Sequence, residues 1–123
     1  MKLTQIHNDK RGKILLLTED LKEHEEITIM TCKKGFARGG CIHKDNDEYC
    51  TLLEGTATYY VNKIHVPYIK MTKGSTIKIP KNSPHYFVAT SDCIMLEWGA
   101  TPVEKQEKHK EFRKRVDEIN GKS

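Results

Sequence analysis

Apolar residues in this chain come in short runs that alternate with polar ones, and turn-forming residues separate the runs every few positions. Successive side chains of a strand point to opposite faces, so a period of two marks half-buried strands. In EITIMTC (26–32), Ile27, Ile29 and Thr31 share one parity and Thr28, Met30 and Cys32 the other, which predicts a strand rich in β-branched residues. Ile14 to Leu17 form an apolar run too short for a helix and are expected as a buried strand. EYCTLLEGTATYYVN (48–62) reads as two strands joined by a hairpin at Glu54-Gly55. IHVPYIKM (64–71) is broken by Pro67, as in an edge strand or a loop. STIKIP, HYFVAT and CIMLEWGA follow as further strands, the last two separated by the turn Ser91-Asp92. Residues 1–12 are polar and end in a turn-like group, and LKEHEE (21–26) reads as a charged connection.

The pattern changes at Pro102. PVEKQEKHKEFRKRVDEIN is rich in helix formers, with Thr101 as N-cap, Pro102 in the first turn, and Val103, Phe112, Val116 and Ile119 near helical period. A helix over about 102–119 is expected, stopped near Gly121 and docked on a barrel or a partner subunit. Roughly eight to ten short strands with one terminal helix fit an all-β sandwich, barrel or jelly roll.

Composition narrows this picture without changing it. A chain of 123 residues is expected to form one domain, residues 1–123, with a single core. Its net charge of +4 is spread among interspersed acids and bases, which argues against a nucleic-acid partner. No run approaches the roughly 18 apolar residues of a membrane span. MKLTQIHNDKRG lacks the apolar core of a signal peptide, so a cytoplasmic protein is expected. The four cysteines, at 32, 41, 50 and 93, have no CxxC spacing and are expected as free, mostly buried thiols.

Chemistry concentrates in two stretches, GFARGGCIHKDNDEYCTLLEG (35–55) and GSTIKIPKNSPH (74–85). Cys41 and His43 are two apart and share a strand face. Glu48 has the other parity, but Lys44-Asp45-Asn46-Asp47 is turn chemistry that reverses the chain and returns Glu48 to that inner face. His85 follows Pro80 and Pro84, which stiffen the loop that carries it. A thiol, two imidazoles and a carboxylate suit a divalent transition metal. They equally suit general acid–base work near neutral pH, with the carboxylate setting a histidine tautomer. His7, His24, His65 and His109 lie in polar or proline-bounded segments and stay outside the site.

These stretches resemble the paired motifs of the cupin superfamily. Gly35, five residues, Cys41-Ile42-His43, four residues, Glu48, six residues and Gly55 match the first motif, with Cys41 in place of its first histidine. Gly74, Pro80 and His85 match the second with one residue of lengthening; Ser83 or Pro84 stands near its glycine and Ala89 replaces its asparagine. The resemblance implies a jelly-roll barrel over about residues 13–99 and metal ligands at Cys41, His43, Glu48 and His85. Cysteine in that set favours zinc or copper over the iron of oxygenase sites; nickel is also compatible, as is a metal-free site. HNDKRGKILLLTE, RGGCIHK and IPKNSPHYF further resemble small sugar-nucleotide cupins, ketoisomerases and epimerases that shuttle protons beside a carbonyl, usually without metal. That likeness implies His43, His85 and Tyr86 as catalytic groups, and Arg38, Arg11, Tyr49 and Tyr59 around a carbohydrate or nucleotide-sugar. It also implies a homodimer, since such barrels usually pair. The two implied functions are a sugar isomerase or epimerase and a metal-binding cupin, either an oxygenase or a non-catalytic sensor.

Overall fold

The structure, a computed structural model, describes residues 2–18, 26–99 and 106–121. Among these residues the chain forms two antiparallel sheets and one helix. The first sheet contains β1 (Lys2–Asp9), β2 (Gly12–Thr18), β3 (Glu26–Cys32), β10 (Cys93–Trp98), β5 (Glu48–Glu54) and β8 (Thr76–Ile79), in the order β1-β2-β3-β10-β5-β8. The second contains β11 (Gln106–Lys108), β4 (Ala37–His43), β9 (His85–Ala89), β6 (Ala57–Val61) and β7 (Ile69–Met71), in the order β11-β4-β9-β6-β7. Helix α1 spans Lys110–Ile119. No helix among the described residues is long and apolar enough to cross a membrane.

Inward residues of both sheets make one core, because each strand offers alternate side chains to the layer between them. Met30, Cys32, Cys50, Leu52, Ile79, Cys93 and Met95 enter from the first sheet, and Ala57, Tyr59, Met71, Phe87 and Ala89 from the second. A smaller cluster of Ala37, Tyr86, Phe112 and Val116 fills the space between α1 and the outer face of the second sheet. Asn120, just past the helix, is buried and bonds Ala37 twice: its Oδ1 accepts from Ala37 N at 2.8 Å and its Nδ2 donates to Ala37 O at 3.0 Å.

Several sequence expectations are corrected. Residues 2–9 form a strand, β1, whose side chains are almost all exposed, so it lacks the apolar alternation that would announce it. The turn at 44–47 does not fold β5 back beside β4; it carries the chain from the second sheet to the first. Gly55 likewise makes a corner between sheets and not a hairpin. Its φ is +84° and a Cβ there would stand 2.2 Å from Asp92 O, so glycine is required. The helix begins at Lys110 with His109 as N-cap, and residues 106–108, expected as helix, instead pair with β4. Thr101, Pro102, Val103 and most of the 21–26 connection lie outside the described residues.

Candidate functional site

Between the two sheets lies a cavity of about 220 Å³. β4 brings His43 to its wall and β9 brings His85, while Glu48, first residue of β5, reaches it from the opposite sheet. All three are buried. Glu48 Oε2 lies 2.9 Å from His43 Nε2 and Oε1 lies 3.4 Å from His85 Nε2, and the two imidazoles stack with centroids 5.6 Å apart.

The His85 tautomer follows from its neighbours. Nδ1 lies 2.9 Å from Ser83 O, and a carbonyl can only accept, so Nδ1 carries the proton. If His85 were neutral, its Nε2 lone pair would face the Glu48 carboxylate at 3.4 Å. Two acceptors would then face each other, and only a proton or a metal cation between them relieves the contact. Burial pushes the His85 pKa down, but the hydrogen bond and charge of Glu48 outweigh it and raise the value. Burial also pushes Glu48 up, and hydrogen bonds from His43 and His85 reverse this, leaving it below the ordinary range. His43 Nδ1 is buried without a hydrogen-bond partner among the described residues. The ligand atoms of His43, Glu48 and His85 all lie within 4.8 Å of one another, a two-histidine, one-carboxylate set that fits a divalent transition metal.

The loop before His85 shows how the second motif is met. Asn82, two residues after Pro80 and three before His85, stands where the motif has its glycine and has φ +66°, in the left-handed region that glycine favours, so no lengthening is needed. Its N–H donates to His43 O at 2.7 Å, tying the loop of one histidine to the strand of the other.

Other predicted residues divide between cavity and exterior. Cys41 shares the His43 face and lines the cavity, but its sulfur is not within the cluster of ligand atoms; burial pushes its thiol up. Arg38 is only 3% exposed and lines the cavity, with Nε and one terminal nitrogen donating to Thr31 O at 3.2 and 3.0 Å. Arg11 lines it too, but Asp9 occupies its fork at 2.9 and 2.6 Å. Tyr59 is buried with its ring 6.2 Å from that of His85. Tyr86 has the opposite parity to His85 and faces α1, stacked on Tyr60 with its hydroxyl donating to Ile64 O. Tyr49 stacks on Trp98 at 5.6 Å and is not part of the cavity wall. His7 pairs with Asp9 away from the site, and His109 caps α1.

Three further residues belong here that the sequence reading did not select. Glu97 lines the cavity, and burial followed by the Glu48 charge pushes its carboxyl up to about 8. Cys50 Sγ lies 3.4 Å from Glu97 Oε1 and 3.6 Å from Glu48 Oε1. Glu97 shares the inward parity of Cys93 and Met95, and Cys50 that of Glu48, which is the signal that could have found them. Arg113 comes from α1, where no local pattern points to the barrel; its NH1 donates to Gly39 O at 3.0 Å beside the cavity.

The two antiparallel sheets form the jelly-roll fold of the cupins. No family model matches the chain, and no curated protein matches it in sequence. Solved structures do. The capsular polysaccharide assembling protein CapF of Staphylococcus aureus superposes with TM-score 0.71 at 15% identity, covering 89% of this chain and 32% of CapF. Oxalate decarboxylase of Bacillus subtilis gives TM-score 0.70 at 15% identity over 85% of this chain and 29% of the enzyme. A conserved protein of unknown function from Streptococcus pyogenes gives TM-score 0.59 at 23% identity, over 76% of this chain and 78% of that one. The chain thus spans about a third of CapF and less of the decarboxylase.

Proposed function

We propose that this chain is a metal-binding cupin whose cation is held by His43, Glu48 and His85, with a small anionic molecule as its ligand. The observation that carries the reading is the convergence of His43, Glu48 and His85, all buried between the sheets with their ligand atoms within 4.8 Å of one another. When bound, a divalent metal would supply Lewis-acid polarisation of a ligand oxygen. The chain's own part is to fix the histidine through Ser83, to keep water out with Tyr59, Phe87 and Met30, and to set positive charge around the cavity with Arg38 and Arg113. The structure of oxalate decarboxylase, with its Mn(II) centres, supports a metal on this scaffold. A donor set without a sulfur from Cys41 admits manganese and iron beside zinc, copper and nickel.

The sugar-nucleotide reading finds support in Arg38 and Tyr59 at the cavity and in the polysaccharide-assembling neighbour CapF. Against it stand the cavity, below the about 300–1,000 Å³ of ordinary ligand pockets, and the outward placement of Tyr86 and Tyr49. A carboxylate or a single sugar suits the space better than a whole nucleotide-sugar. A homodimer is part of the proposal: among the described residues β1 ends the first sheet as an unpaired edge carrying the exposed Leu3 and Ile6.

Calorimetric titration of chelator-treated protein with manganese and zinc, followed by a small dicarboxylate, tests this. One metal per chain, with the dicarboxylate bound only to the loaded protein, is expected. Binding of a nucleotide-sugar to metal-free protein, with no metal uptake, would favour the isomerase reading instead.

A further inference from the structure

Cys32 ends β3 and Cys93 begins β10, and the two are direct partners across the antiparallel ladder. Directly opposed residues in such a ladder have Cα atoms about 4.5 or 5.5 Å apart, depending on the hydrogen-bonding register. Both values fall within the roughly 4.4–6.8 Å over which a disulfide closes without backbone movement. The two side chains also share a face, since both are buried in the core, at 1% and 3% exposure. Neither remaining cysteine has such a partner: Cys41 is opposite His85 and Lys108, and Cys50 opposite Glu97 and Ile77.

We propose that Cys32 and Cys93 are a redox modification site that closes reversibly into a cross-strand disulfide when the chain meets a hydroperoxide. Cys32 thiolate attacks the O–O bond, giving a sulfenic acid and releasing water or an alcohol. The Cys93 sulfur then attacks the Cys32 sulfur, and water leaves with the sulfenic oxygen. Two electrons pass from the thiols to the peroxide, and thioredoxin-like dithiols reverse the change by exchange.

Of the pair, Cys32 feels both the Arg38 and the Arg11 charge, while its Sγ donates to Phe36 O at 3.5 Å. A hydrogen bond from Cys93, then the Arg38 and Arg11 charges, hold its thiol below the ordinary value against the opposing effect of burial. Cys93, as the donor of that bond, is raised, with burial acting in the same direction. Cys41 and Cys50 are both raised by burial. The pair also occupies the end rung of its ladder, against the Lys33–Gly35 turn and after Ser91-Asp92, so opening one rung admits a small oxidant. Thr31, next to Cys32, accepts both hydrogen bonds that hold Arg38 at the cavity, so the modification is coupled to the cavity wall.

Treating the reduced protein with a small excess of hydrogen peroxide, then mapping peptides without reduction, tests this. The expected result is loss of two of the four thiols, a linked peptide joining Cys32 to Cys93, and recovery by dithiothreitol. In Cys93→Ser the reaction should stop at a Cys32 sulfenic acid trapped by dimedone. Retention of all four thiols, linkage of any other pair, or first oxidation at Cys41 or Cys50 would overturn the proposal. Mapping of the wild-type protein decides the matter even if a variant fails to fold.

Discussion

His85 is the residue whose surroundings constrain the chemistry most, because Ser83 O fixes one nitrogen as a donor and leaves the other facing Glu48. Substituting His85 with Ala or Glu48 with Gln should weaken metal binding by at least the roughly 10–100-fold that loss of an outer hydrogen-bond partner costs, measured by titration. Cys41→Ser should leave affinity within a few fold, since its sulfur is outside the ligand cluster. A large loss in that variant would restore Cys41 to the set implied by the motif. Tyr86→Phe separates a catalytic from a packing role. It removes the hydrogen bond to Ile64 O and should cost about 0.5–1.5 kcal/mol in denaturant unfolding, while ligand binding stays unchanged. At this scale much was legible from sequence: His43, Glu48 and His85 do converge. Glu97 was not, because a lone acid in an apolar strand reads as solvent-facing until its parity with Cys93 and Met95 is followed inward.

At the scale of elements, α1 approaches β4 because Gly40 has no side chain; a Cβ there would lie 2.9 Å from the Arg113 Cα. Gly40→Ala should therefore lift the helix and displace Arg113, and Phe112→Ala should destabilise by about 3–5 kcal/mol, read by denaturant unfolding. The β1–β2 turn is clamped by Asp9 and Arg11. The hydrogen bond from Arg11 is the largest influence on Asp9 and holds its pKa well below the ordinary value, against a smaller opposing effect of burial. A depressed carboxylate stabilises the fold above its unfolded value of about 3.9, and that stability is lost as pH falls toward the folded value. Asp9→Asn should thus lower stability at neutral pH and flatten its decline below about pH 4. Parity indicated which residues share a face but not which sheet a strand joins, so 44–47 and Gly55 looked like reversals within one sheet when both cross between sheets. Residues 106–108 have good helix propensity, yet pairing with β4 overrides it.

Over the whole molecule, period-two patterning was enough for an all-β sandwich, barrel or jelly roll, because it is a local consequence of strands facing a common interior; the choice of the jelly roll came from the resemblance of the first motif to cupins. The polar β1 escaped notice because almost all its side chains are exposed, so no apolar alternation marks it. Its edge, unpaired among the described residues, predicts a dimer by light scattering, weakened by Leu3→Lys and Ile6→Lys. Elemental analysis of the purified, undenatured protein beside its His85→Ala variant measures directly the cation proposed between His43, Glu48 and His85. Close to one transition-metal ion per chain is expected in the wild type and almost none in the variant. A wild-type protein that contains no metal and takes none up on titration would contradict the proposed metal site.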